Sequence, residues 1–132
     1  MLKLHREAKL NAIRSVTIRA PARLHLGFLD QNGALGRHFG SIGLAIDRPE
    51  TVLRAAIRSA AAPAERDERL AEVVRRMADA LDVSDAIDVV VEREIPAHQG
   101  FGSGTQLAMS VGAALSALAG RQIDLVRLAE IA

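Results

Sequence analysis

Short β-branched stretches dominate the first sixty residues of the chain, and apolar residues at helical spacing become prominent after them. Runs rich in Val, Ile and Leu predict strands, and their bounds are 15–20, 23–28, 42–46, 51–57 and 87–95. Apolar residues at helical spacing predict two helices, at 65–81 and 106–119. This order of elements predicts an α+β fold of two layers, in which helices cover one face of a mostly antiparallel sheet.

The length of 132 residues is enough for one domain with a hydrophobic core. Residues 1–14 are expected to be a loose N-terminal extension, and residues 15–132 the domain. Asp124 can cap a last helix, which has barely two turns before the chain stops. So short a helix is marginal by itself, which favours a domain truncated before a C-terminal domain over a chain that simply ends in a short helix.

The segment Gly100-Phe101-Gly102-Ser103-Gly104-Thr105 lies between the last predicted strand and the second predicted helix. Glycines let the backbone adopt positive φ and approach a ligand closely. The free N–H groups at the start of the helix can then bind an anion, helped by the helix dipole. The alternative is a tight turn that only packs the helix on the sheet. Three glycines with two hydroxyl residues favour a phosphate site, whose candidate residues are Gly100, Gly102, Ser103, Gly104 and Thr105.

This loop differs from the two commonest phosphate-binding loops. A P-loop has a Lys directly before its Ser or Thr, and here glycine precedes both Ser103 and Thr105. The dinucleotide fingerprint G-x-G-x-x-G has a third glycine that is missing after Gly102. The loop alone therefore predicts an anion but does not identify it.

Composition excludes several classes of protein. Aromatic residues make up only 2% of the chain, which disfavours a binder of single-stranded nucleic acid, because such binders stack bases on aromatic rings. The absence of cysteine excludes disulfides and thiolate metal sites. No run approaches the ~18 apolar residues that span a bilayer. We therefore expect a cytoplasmic protein with neither nucleic-acid nor membrane partners.

Charge is distributed unevenly, although the net charge is only +1. Residues 1–62 carry ten Lys/Arg and four Asp/Glu, whereas residues 63–132 carry seven and twelve. The basic first half could supply cations to a negatively charged substrate. A chance distribution over a solvated surface explains the asymmetry equally well.

Two motifs resemble the GHMP kinase superfamily. The first is Ala20-Pro21-Ala22-Arg23, and the second is a P-x-x-x-G-L-G-S-S loop, present here as Pro96-Ala97-His98-Gln99-Gly100-Phe101-Gly102-Ser103-Gly104. Within the superfamily, the chain is similar to the family of β-ribofuranosylaminobenzene 5′-phosphate synthases over the segments 21–26, 30–37, 40–45 and 98–106. The resemblance spans nearly the whole chain from Thr17 and implies a left-handed βαβ crossover.

One departure from the kinase pattern bears on the reaction. The second serine of the kinase loop is replaced by Gly104. In the kinases that serine helps to hold the magnesium of the nucleotide, and glycine has no side-chain oxygen to do so. Transfer of phosphate from ATP is therefore in doubt, whereas phosphate binding by backbone N–H groups is unaffected.

The synthase resemblance implies that 4-aminobenzoate and phosphoribosyl pyrophosphate are joined by a C–C bond with release of CO₂ and pyrophosphate, towards methanopterin-type carriers. It implies Mg²⁺ as the metal, although the sequence shows no metal-binding site in the protein. It is also compatible with a homodimer. The isolated chain is expected to be inactive, because catalytic carboxylates are expected beyond Ala132. An ATP-dependent small-molecule kinase and a non-catalytic phosphate-binding module are the alternatives.

Four further residues are candidates for this site. Arg23 could hold a phosphate or the aminobenzoate carboxylate in bidentate fashion, unless it pairs with a surface acid. His25 shares a strand face with Arg23 and is either an acid/base or positioning group, or a structural histidine. Arg37, after a predicted Asn-Gly turn, could lend charge or be solvated. His98 lies beside the glycine loop and is expected to contact the ligand.

Overall fold

Three strands and three helices form the part of the chain that the computed structural model describes, residues 14–36, 40–58 and 67–132. The sheet order is β1-β2-β3, and both neighbouring pairs are antiparallel. The predicted α+β fold is therefore confirmed. The elements in chain order are β1 Ser15–Leu29, β2 Gly40–Ile57, α1 Glu68–Leu81, β3 Ile87–Arg93, α2 Ser103–Leu118 and α3 Leu125–Ile131.

Two prolines interrupt the strand pairing without ending the strands. The predicted strands on either side of Pro21 are one strand, β1, and those on either side of Pro49 are one strand, β2. The register shifts between Pro21, which pairs with Glu50, and Ala22, which pairs with Ile46. Proline has no N–H to donate to a ladder, and an irregularity of this kind accommodates it.

The three helices differ in how the free N–H groups of their first turn are satisfied. Asp67 caps α1, since its Oδ1 accepts a hydrogen bond from the Leu70 N–H at 2.7 Å. Asp124 caps α3 in the same way through the Arg127 N–H at 3.0 Å, as predicted. By contrast, α2 begins at Ser103, three residues before the predicted start, and has no side-chain cap.

The core is aliphatic and centres on α2, which packs against β1, β2, α1 and α3. Small and medium side chains fill it because the chain has few aromatic residues. Its fully buried members include Leu53, Val74, Met77, Val111 and Leu115. Among the described residues, no helix combines the length and apolar character needed to cross a bilayer.

The hairpin of β1 and β2 extends past the third strand, because β3 pairs only with residues 52–57 of β2. Residues 22–29 and 40–46 therefore form a two-stranded extension, here called the distal hairpin. Six of its large apolar side chains are exposed: Leu24, Leu26, Phe28, Leu29, Ile42 and Leu44.

Some predictions fall outside the described residues, namely the N-terminal extension up to residue 13, the start of the first helix at residues 65–66, and Arg37. The left-handed βαβ crossover also stays a prediction. Such a unit joins two parallel strands, whereas neighbouring strands within the described ranges are all antiparallel.

Gly112 lets the three helices approach each other closely. A Cβ at this position would lie 2.6 Å from Leu128 Cδ2 and 2.6 Å from Met77 Cε. Gly112→Val should therefore lower the free energy of unfolding by about 1–3 kcal/mol through overpacking. Chemical denaturation measures this free energy. Ala80→Val on the exposed side of α1 is the control, and it should lower the free energy of unfolding by only about 0.5 kcal/mol. Equal losses in the two variants would contradict the close packing at Gly112.

Candidate functional site

The glycine loop is held at three points by the fold. Ile95, just after β3, is buried, and its N–H donates to Thr51 Oγ1 at 3.4 Å. In the middle of the loop, the Phe101 carbonyl accepts a hydrogen bond from the Arg23 N–H on β1 at 3.4 Å. At its far end the loop continues into the buried helix α2. The loop backbone is thus positioned by β1, β2 and α2 together.

The start of α2 presents backbone donors. Gly102 is the N-cap residue, with φ 71° and ψ 32°, and it contributes no side-chain cap. The first helical bond runs from the Gln106 N–H to the Gly102 carbonyl at 3.0 Å. The N–H groups of Ser103, Gly104 and Thr105 precede that bond and point out of the helix end. No acidic side chain lies in the first turn of α2, so these donors and the helix dipole favour an anion.

The glycines of the loop serve two different purposes. Gly100 and Gly102 have φ values of 74° and 71°, a left-handed conformation that favours glycine. Gly104 has ordinary helical geometry within α2. A Cβ at any of the three would meet nothing within 4 Å. The protein itself therefore does not require glycine at position 104, and the open space beside it is available for close approach of a ligand.

A cleft of about 500 Å³ opens beside these donors, a volume suited to a small-molecule ligand. The structure brings six of the predicted site residues together in its lining. The lining residues are Arg69, Ala97, His98, Gly100, Phe101, Gly102, Ser103, Gly104 and Thr105.

Arg69 is the charged residue of the cleft that sequence reasoning missed. It lies in the first turn of α1, where its charge is typical of the solvated face of an amphipathic helix. It is more than thirty positions away from Ser103 along the chain. Only the packing of α1 against α2 brings the two together. The capping Asp67, which fixes the start of α1, is the one local signal that could have placed Arg69 at a helix end.

Arg23 adjoins the loop through its backbone, and its side chain lies over β2. A Cβ at Gly43 would lie 2.4 Å from Arg23 Cδ and 2.6 Å from Arg23 Cγ. Gly43 therefore provides the space in which the aliphatic part of the Arg23 side chain lies. The residue is exposed and does not line the cleft itself, so only its backbone contacts the loop.

His25 and Arg37 are not brought into the cleft by the described structure. No register shift separates Arg23 from His25, so both side chains project from one face of β1, as predicted. The His25 ring lies edge-on to Phe28, with ring centroids 4.6 Å apart and an interplanar angle of 61°. This contact places His25 on the distal hairpin. Arg37 lies outside the described residues.

The cleft lining contains hydroxyl groups but no carboxylate. Among the described residues, no group of three or more His, Asp or Glu side chains could hold a metal ion. Mg²⁺ is usually bound by one or two carboxylates together with substrate phosphates and water. The lining residues therefore do not fit a magnesium ion held by this part of the protein alone.

Comparison with known proteins shows which proteins the chain is similar to. Residues 68–132 match the family model of the GHMP kinases N terminal domain. The chain is 32% identical over 129 residues to a beta-ribofuranosylphenol 5′-phosphate synthase of Methanocaldococcus jannaschii and 35% identical over 118 residues to one of Archaeoglobus fulgidus. A third, of Methanothermobacter thermautotrophicus, is 30% identical over 125 residues.

These alignments each include 86% of the chain and only 39%, 37% and 38% of the three relatives. The chain thus spans about two fifths of the length of the curated relatives it matches. Among solved structures, the phosphomevalonate kinase of Streptococcus pneumoniae is similar with a TM-score of 0.56 and 19% identity, over 89% of this chain and 40% of that one. This likeness shows the fold alone. The resemblance to the GHMP kinase superfamily is confirmed.

Gly104→Ala is a test of the loop that leaves the fold intact. Alanine favours a helix over glycine by roughly 1 kcal/mol and would meet no protein atom here, so thermal stability should stay the same or rise. The added methyl group should nevertheless weaken pyrophosphate binding by about tenfold or more, because it occupies the space beside the donors. Isothermal titration of the full-length protein measures the affinity.

Ser103→Ala is the matched comparison, because it removes a hydroxyl group and keeps the backbone N–H. It should weaken binding less than Gly104→Ala. A larger loss in Ser103→Ala would mean that the side chain, and not the backbone, holds the anion.

Proposed function

We propose that this chain, which resembles the GHMP kinase superfamily, is the diphosphate-binding part of an enzyme that joins phosphoribosyl pyrophosphate to an aromatic carboxylic acid. The uncapped start of α2 in a cleft of about 500 Å³ is the observation that carries the proposal. Three relatives named as one synthase support it.

The proposed reaction forms one C–C bond and breaks two bonds. The ring carbon that bears the carboxylate attacks the anomeric carbon of the ribose. The anomeric C–O bond to the diphosphate breaks, and pyrophosphate leaves with the electron pair. The bond between ring and carboxylate then breaks, its electrons restore the aromatic ring, and CO₂ leaves. No oxidant, reductant or ATP is needed for this balance.

The loop would act on the leaving group. Negative charge develops on the diphosphate as the anomeric C–O bond breaks, and fixed N–H donors at Ser103, Gly104 and Thr105 would stabilise it without reorganisation. His98, which lines the cleft, could donate a further hydrogen bond. Arg23 lies next to the loop backbone and would hold the carboxylate of the aromatic substrate or the 5′-phosphate.

The identity of the aromatic substrate is a separate part of the proposal. The relatives are named for a ribosylated phenol, which corresponds to 4-hydroxybenzoate, whereas the sequence resemblance implies 4-aminobenzoate. Both substituents donate electrons to the ring carbon that attacks. We therefore assign a para-donor-substituted benzoate, with the amino and hydroxy compounds as two arms of the assay.

The remaining expectations stay part of this proposal. Mg²⁺ would arrive with the diphosphate substrate, since the described cleft offers hydroxyl groups and no carboxylate. ATP enters only under the kinase alternative. Cytoplasmic location, a homodimer and inactivity of the isolated chain are further proposals.

The decisive experiment incubates the full-length protein with phosphoribosyl pyrophosphate, Mg²⁺ and either benzoate, and measures CO₂ and pyrophosphate. Equimolar release of both products without ATP is the expected result. Phosphorylation of a small alcohol by ATP without CO₂ would replace the proposal with the kinase alternative. Binding of the diphosphate with no turnover of any kind would leave a non-catalytic phosphate module.

Arg23→Ala should lower kcat/KM by an amount that corresponds to a loss of about 2–4 kcal/mol in transition-state stabilisation. This loss is expected if the guanidinium meets a charged substrate group in a closed site. Arg19→Ala on the same strand is the control, because Arg19 pairs at the surface with Glu50, which keeps Arg93 as a partner at 3.0 Å. Steady-state kinetics of the full-length variants measure both. Equal effects in the two variants would remove Arg23 from the site.

A further inference from the structure

Arg69 is held in the cleft wall by an ion pair with Glu94. Its Nη1 lies 2.7 Å from Glu94 Oε1, which joins the first turn of α1 to the segment that follows β3. The two side chains are 52% and 35% exposed. An ion pair with this much solvent access is weak and readily exchanged for another partner.

Arg69 lines two cavities. One is the cleft of about 500 Å³ with the glycine loop, and the other is a cavity of about 240 Å³ that Glu94 and Asp67 also line. Glu94 lines the second cavity and does not line the cleft. Arg69 therefore borders both the cavity that contains the Glu94 carboxylate and the cleft that contains the donors of the loop.

Arg69 is the only Lys or Arg among the described residues that line the cleft. A guanidinium has five N–H donors in a planar fork that matches phosphate as well as carboxylate. A diphosphate on the loop carries more negative charge than one carboxylate. It would therefore compete favourably with Glu94 for the same donors.

We propose that Arg69 exchanges Glu94 for the diphosphate of the substrate when the substrate binds at the glycine loop. Glu94 holds the guanidinium in the cleft wall before binding, and its carboxylate is released to water in the second cavity afterwards. Arg69 is thus a binding residue of the site, and Glu94 is a competing anion built into it. This inference rests on the proposed diphosphate site and adds its principal cation.

Two neutral variants of the full-length protein test the exchange by titration with inorganic pyrophosphate. Arg69→Gln should weaken binding by roughly 10–100-fold, because a charge-assisted bidentate contact is lost. Glu94→Gln should strengthen binding by about 3–10-fold, because the competing carboxylate is gone. In the Arg69→Gln background, Glu94→Gln should have no effect, since there is then no guanidinium to release.

A second ion pair provides a matched control. Arg54 and Glu92 join β2 and β3 at 2.7 Å, with side chains 64% and 38% exposed, and neither lines the cleft. Arg54→Gln and Glu92→Gln should leave pyrophosphate affinity unchanged. Melting temperatures of all variants check that the fold is retained.

The outcomes separate this inference from the function it rests on. Unchanged affinity in Arg69→Gln, with weakened binding in Gly104→Ala, would overturn the role of Arg69 and keep the loop as the diphosphate site. A gain from Glu94→Gln that persists without Arg69 would overturn the exchange, because it would reflect only a change in the local field. No pyrophosphate binding by the unmodified protein would overturn the diphosphate site itself.

Discussion

The burial of α2 is the constraint on which the rest of the structure depends. Val111 and Leu115 are fully enclosed between the sheet and the other two helices, and Gly112 lets α1 and α3 come close. This packing fixes the helix axis, and the axis fixes the direction of the first N–H groups. The chemistry of the glycine loop is therefore determined by core contacts two to three turns away from it.

Features that depend on consecutive residues were predictable from sequence. The glycine loop and the uncapped start of α2 are formed by neighbours along the chain, so the loop composition was sufficient to predict that a helix begins there. Asp124 was a sufficient signal for the start of α3. Arg69 was not predictable in the same way, because its position in the cleft arises from the contact between α1 and α2. A charged residue on an amphipathic helix carries no local sign of which neighbour it will meet.

The strands illustrate a second limit. Proline predicts the end of a strand from local geometry, whereas pairing along most of β1 and β2 outweighs one lost donor at Pro21 or Pro49. Arg23 and His25, which the sequence grouped together as residues of one site, illustrate a further limit. Both residues belong to the distal hairpin, but the Arg23 N–H bonds to the loop whereas the His25 ring lies against Phe28. Alternation correctly predicted their shared face but not that His25 packs against Phe28.

The bare N-terminus of α2 connects ligand occupancy to the stability of the whole domain. An anion there would complete the hydrogen bonding of a helix that is also the centre of the core, and the unfolded chain has no such site. By thermodynamic linkage, a ligand at a hundred times its dissociation constant adds about 2.7 kcal/mol to the free energy of unfolding. If the proposed site binds an anion, phosphate or pyrophosphate in the buffer becomes one of the variables that set the melting temperature of this protein.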